Sequence, residues 1–204
     1  MPLQLYDRDK ILDDCLSVFA QHGYDNTSTA MLADAAGISK ALIFHHFNSK
    51  KELYLCLLER CVAQARSEIK AESLLQYDDF FEARERLSIM KYTFNKNNPN
   101  IYKVLVEAYV TTPEELKPEI ETWLGGFFTE RNSFWEEMFA KVPLREGVDR
   151  AQAFELVVLA LDHFDQKFMA KKSAETELDD QFVQSFLGER RSFLALIRHG
   201  IEQQ

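Results

Sequence analysis

No stretch of this chain sustains the period-2 alternation of a half-buried strand, and apolar residues recur instead at three- and four-residue intervals. Leu12, Cys15, Leu16 and Phe19 form one such stripe, and a stripe of that spacing lies along one side of an α-helix. Only seven glycines and five prolines interrupt 204 residues, so breaks are few and their positions can be read one by one. No repeat of 20–50 residues is visible. The chain reads as all-α, with about nine helices.

The helix ends carry their own signals. Gly23 closes the first stripe, as a C-terminal glycine does. Thr27 or Ser28 can cap a short second helix carrying Met31, Leu32, Ala33 and Ala36, ending at Gly37. Ser39 can cap a third, to about Phe47. Ser49-x-x-Glu52 is a capping box that opens a fourth, with Leu53, Leu57, Cys61 and Ala65 on one face. Further on, Asp78 or Asp79 can cap a helix through Phe94, and "NKNNPN" breaks it. Another helix spans 99 to about 111. Thr112-Pro113-Glu114-Glu115 offers a cap, a first-turn proline and first-turn acids for the next. Pro118 and Gly125-Gly126 are candidate breaks in that helix, which reaches about 141. Asp149 opens a strong helix to about 172, and a last one runs from about 180 to 203.

The stretch "GISKALIFHHFNSKKELY", residues 37–54, stands out against the charge of the whole. The chain carries a formal net charge of −9. Residues 1–60 hold 6 Lys/Arg and 8 Asp/Glu, a net of −2, and the remainder 18 and 25, a net of −7. Yet from Ser39 to Lys51 there is no acid, only Lys40, Lys50, Lys51 and two histidines. Salt screens charges beyond ~8 Å, so a phosphate arriving here would feel the local cations more than the distant acids. Three short helices, the second and third joined by Gly37-Ile38, form a helix-turn-helix. Gly37 suits the positive φ of the turn, and Ile38 can plug the small core. In such units the second helix of the pair enters the DNA major groove. Its exposed face would offer Lys40, Ala41, Leu42 and His45: Lys40 to guanine O6/N7, His45 to a base acceptor, Ala41 and Leu42 to a thymine methyl. Lys50 and the free N–H groups opening the fourth helix can meet a phosphate.

"VFAQHGYDNTST" followed by "LADAAGISKALIFHHFNSKKELY" resembles the tetracycline-repressor (TetR) family of transcriptional regulators over roughly residues 8–55. The likeness is gapless: F-x-x-x-G-[YF], T-[ST]-x-x-x-[IL]-A, A-G-[VI]-S-K, an aromatic-x-[HY]-F core and K-x-E-L. It implies that Lys40, Ala41, Leu42 and His45 face bases, and that Ser28, Thr29, Phe44, His46 and Lys50 face phosphates. The family usually has Tyr where this chain has Phe44, so that contact is lost or reduced to van der Waals packing. The resemblance also implies a reader domain, 1–48, followed by a helical ligand-binding and dimerisation domain, 49–204, with 49–72 as the connecting helix.

Composition agrees with such a second domain. Of 25 aromatic residues, 6 precede residue 73 and 19 follow. Phe94, Tyr109, Trp123, Phe127, Phe128, Phe164 and Phe168 are candidates to line a large apolar cavity, which would take a bulky hydrophobic effector. In the helix from 149, Phe154, Val158, Leu161 and Phe168 form a stripe with Asp165 on the same face. A carboxylate there is costly unless paired, hydrogen-bonded or protonated; ligand contact, a dimer-interface hydrogen bond and partial exposure all remain open for it. The last helix carries Phe182, Phe186, Phe193, Leu196, Ile197 and Ile201, more apolar surface than a terminal helix needs. Together 149–172 and 180–203 can build a four-helix interface in a two-fold homodimer.

Other classes find less support. No Glu-x-x-His pair, nucleophile motif, Gly-rich phosphate loop or zinc spacing is present, so neither a catalytic residue nor a metal or other cofactor is expected. Adjacent His45 and His46 point in different directions on a helix and make a poor metal pair. Three cysteines cannot all pair within one chain, and they read as small apolar residues on helix faces. No apolar run approaches the ~20 residues of a membrane span, and the N-terminus lacks the order of a signal peptide, so a cytoplasmic protein is expected. The reading is a DNA-binding, ligand-responsive regulator, most simply a homodimeric repressor acting on a double-stranded operator. An all-α enzyme using the same cavity, or an adaptor whose helix-turn-helix binds protein, are the alternatives.

Overall fold

Helical periodicity becomes nine α-helices among the residues described, 8–172 and 180–203 of the computed structural model. They are α1 (Arg8–Asn26), α2 (Thr29–Ala35), α3 (Lys40–Phe47), α4 (Lys50–Ile69), α5 (Phe80–Asn97), α6 (Pro99–Val110), α7 (Lys117–Phe139), α8 (Arg150–Lys172) and α9 (Asp180–Ile201). Short 3-10 turns, Ala71–Gln76 and Glu114–Leu116, precede α5 and α7. Leu144 and Glu202 form an isolated antiparallel bridge, and no strand is found among the described residues. The fold is all-α.

The caps explain the boundaries. Ser28, Ser39 and Ser49 accept the N–H groups of Met31, Leu42 and Glu52 at 3.3, 3.2 and 3.0 Å. Asp79 and Asp149 do the same for Glu82 and Gln152, each at 2.9 Å. Each satisfies a donor that the first helical turn leaves without a partner. Gly37, at φ 65°, terminates α2 through two backbone bonds, Ile38 N–H to Ala33 and Gly37 N–H to Asp34, which is a Schellman motif. Gly125-Gly126 does not divide α7, which runs unbroken from Lys117. Pro118 falls in its first turn, where a missing N–H costs nothing.

The chain forms two compact units, residues up to 68 with 97–120, and 69–96 with 121–204. In the first, α1 packs on α2 and α6, and α2 on α3. Leu32, Ile43, Phe47, Leu53 and Leu57 are buried there. The rings of Phe19, Tyr24 and Tyr54 meet, with Phe19–Tyr54 and Tyr24–Tyr54 edge-on at 5.0 and 5.1 Å. Cys15 and Cys61 are buried in this unit, and burial pushes both thiols up to about 12. They are core residues.

The second unit is built on Phe80, Ala83, Trp135, Phe139, Val157 and Leu161. Phe80 sits edge-on to Phe139 at 5.1 Å and to Trp135 at 5.9 Å, a favourable ring geometry. A further aromatic group joins Tyr92, Phe168 and Phe186, with Tyr92–Phe168 at 4.3 Å and Phe168–Phe186 at 5.1 Å. Among the described residues, no helix is long and apolar enough to cross a membrane.

Candidate nucleic-acid interface

Helix α3 is eight residues long and buries only Ile43 and Phe47. Positions four apart lie on one face, so these two anchor the helix and turn the rest outward. Lys40, Ala41, Phe44 and His45 are exposed, and Leu42 and His46 are half-buried. The imidazoles of His45 and His46 lie 5.6 Å apart, nearly perpendicular. Phe44 is 45% exposed, a large ring with no core to fill. The outward face of α3 thus carries an ammonium, an imidazole, a methyl and a phenyl ring, and no carboxylate.

The flanking positions are less uniform. Ser28 is exposed, but its hydroxyl is already the cap of α2. Thr29 is half-buried. Lys50 departs most from the expected free cation. Its ammonium donates to the carbonyls of Tyr24 and Thr27 at 2.9 and 3.1 Å and lies 4.0 Å from the centre of the Tyr24 ring. An ammonium has three donors, so one remains for a phosphate. Lys51 is also engaged, with the carboxylate of Glu119 at 2.7 Å and the carbonyl of Glu115 at 3.1 Å.

Sequence reasoning missed the carboxylate that organises the end of α1. Glu107, on α6, accepts the Tyr24 N–H at 2.8 Å through Oε1 and the Tyr54 hydroxyl at 2.8 Å through Oε2. Burial and Glu107 both favour the neutral Tyr54 phenol, raising its pKa well above the ordinary value. Gly23 makes room for this contact. Its backbone has φ 73° and ψ 170°, and a Cβ there would stand 2.7 Å from Glu107 Oε1. No local pattern could have announced a partner 83 residues away in sequence.

In the second unit, Phe164 and Phe168 are buried and Asp165 lies between them in sequence, half-buried. Asp165 is paired with Lys91 of α5, Nζ to Oδ2 2.8 Å. Burial opposes its ionisation, but Lys91, Arg190 and Arg84 outweigh burial and hold the carboxyl below its usual range. Phe94 is buried and Trp123 half-buried in the same unit; Tyr109 is half-buried in the first unit. The side chains of Phe127 and Phe128 lie outside the described residues. A crevice of about 10 Å³ is lined by Phe80, Arg84, Trp135, Phe154 and Leu161 among others, room for about one water. None of the expected pocket aromatics lines it.

The fold and the outward face of α3 define a class, a helix-turn-helix DNA reader joined to a larger helical region. Residues 11–57 match the family model described as "Bacterial regulatory proteins, tetR family". The chain is 25% identical over 182 residues to the biofilm operon icaADBC HTH-type negative transcriptional regulator IcaR of Staphylococcus epidermidis, covering 85% of this chain and 94% of that protein. Two solved structures have the same fold. One is a putative transcriptional regulator from Saccharomonospora viridis in complex with choline, with TM-score 0.71, 21% identity, and 97% and 98% of the two chains covered. The other is the transcriptional regulator FadR of Bacillus subtilis in complex with stearoyl-CoA, with TM-score 0.65, 16% identity, and 94% and 97% covered. The chain belongs to the TetR family of transcriptional regulators and is not an enzyme.

Proposed function

We propose that this regulator is a homodimeric repressor that leaves its operator when a hydrophobic small molecule binds. The observation that carries the reading is α3, whose exposed face sets Lys40, Ala41 and His45 outward with no carboxylate among them. Lys40 and His45 read base edges, Ala41 and Leu42 meet thymine methyls, and Ser28, Thr29, Phe44, His46 and Lys50 hold the phosphates on either side. Residues 1–48 are the reader, and 49–204 carry effector binding and dimerisation, with 49–72 as connector. That IcaR is a negative regulator supports repression.

Dimerisation rests on a second observation. Leu156 and Leu159 on α8, and Phe193 and Leu196 on α9, are 48, 61, 51 and 70% exposed. Each pair is three residues apart and shares a helix face, and α8 packs against α9. Four large apolar groups left in water on adjacent helices suit a two-fold, self-complementary interface. The bound ligands in the two related structures support an effector, which requires this protein's second unit to open beyond its water-sized crevice. Selection of binding sites from random duplex DNA tests the reading. A two-fold symmetric motif with half-sites about one helical turn apart is expected, and recovery of unenriched sequence would contradict it.

A further inference from the structure

The second unit buries more positive charge than it needs. On α5, Arg84 and Lys91 lie seven residues apart, and Arg190 comes from α9. Arg84 and Arg190 are only 8% and 3% exposed. Facing them are Asp165, paired with Lys91, and Asp162, which with Arg84 lines the crevice. The nearby Glu85 is ion-paired with Arg191, and Tyr92, also near Arg190, is a neutral phenol. Three cations therefore stand against two carboxylates, with the Glu85–Arg191 pair neutral in itself. The surplus falls on Arg190, whose Nε is buried with no hydrogen-bond acceptor among the described residues. Burial draws its pKa down against the pull of Asp165. An arginine buried this deeply is costly unless something completes its fork.

The surroundings say what could complete it. The crevice is walled by Phe80, Trp135 and Leu161. From Leu161 the same face of α8 continues one turn to Asp165, so apolar wall and buried charge adjoin along one helix. Arg84 belongs to both, lining the crevice and acting on Asp165. We infer that the effector is a hydrophobic carboxylic acid, its carboxylate on Arg190 and its apolar body along the crevice between α5, α7 and α8. One negative charge balances the surplus, whereas a dianion would leave an unpaired charge buried. This inference rests on the proposed effector-released repressor and names its ligand class. It adds a requirement that hydrophobicity alone does not, namely that the acid binds and the matching alcohol does not.

Matched probes test it: decanoate against decanol, and naphthylacetate against naphthylethanol, by thermal shift on the intact protein with operator affinity measured in parallel. At least one acid should raise the melting temperature with concentration and weaken operator binding, with its alcohol about tenfold weaker or more, the worth of one charge-assisted hydrogen bond. Arg190→Met should erase the preference for the acid. Asp165→Asn, which removes a competing carboxylate, should strengthen acid binding; a purely structural role would weaken it. Acid and alcohol binding equally, or neither acid shifting a protein that still binds operator, would overturn the inference. Loss of operator binding by the untreated protein would instead overturn the proposed repressor.

Discussion

Single residues in this protein hold two kinds of position, those facing outward to be used and those tied inward. Lys40 and His45 face outward. Replacing either with Ala should cost ~1–3 kcal/mol on the best operator and relax preference at particular base pairs; equal loss on every sequence would make them backbone contacts. Lys50 is tied inward by two carbonyls and a ring. Lys50→Met should therefore flatten the salt dependence of DNA binding and also lower stability, by about 1–2 kcal/mol. An unchanged melting temperature would show that those bonds contribute nothing. Asp165 gives a pH signature. Its folded carboxyl titrates below the ordinary value, so its contribution is full above the unfolded pKa of ~3.9 and lost as pH falls through the lower folded value. Melting temperature followed from pH 6 downward should drop less steeply below ~4 in Asp165→Asn than in the wild type; parallel curves would remove the Lys91 pair as a source of acid sensitivity.

At the scale of elements, the legible features were those whose partners lie within a turn. Ser28, Ser39, Ser49, Asp79 and Asp149 cap helices through N–H groups three residues on, so spacing alone announced them. The glycine turn between α2 and α3 was legible for the same reason. Contacts closed by tertiary packing were not. Glu107 reaches Tyr24, and Lys91 reaches Asp165, across 83 and 74 residues, and nothing in a local pattern selects them. Periodicity also could not say which apolar stripe of α8 faces its own chain: the Leu161 and Phe168 side is buried, while Leu156 and Leu159 face water. Gly23→Ala tests the end of α1. At φ 73° and ψ 170° the backbone favours glycine almost exclusively, and strain of this kind costs ~1–3 kcal/mol. With the Glu107 clash added, the melting temperature should fall and DNA binding weaken with it; a variant as stable as wild type would show that α1 and α6 adjust freely.

For the whole molecule, two copies are needed to present two reading helices to one operator. Leu159→Asp or Phe193→Asp should place charge in the apolar interface and yield monomers by sedimentation, with operator affinity lost and the fold retained. A well-folded variant still dimeric at micromolar concentration would move the interface elsewhere. The most direct measurement of the central claim is a salt titration of binding to the DNA flanking the protein's own coding region, with an unrelated duplex alongside. A reader that neutralises phosphates gives a line of log affinity against log salt falling by ~0.9 per phosphate. The account predicts such a slope on both duplexes and far tighter binding to the flanking DNA, with the difference reduced in Lys40→Ala and His45→Ala. Binding that ignores salt, or a preference that both substitutions leave intact, would contradict it.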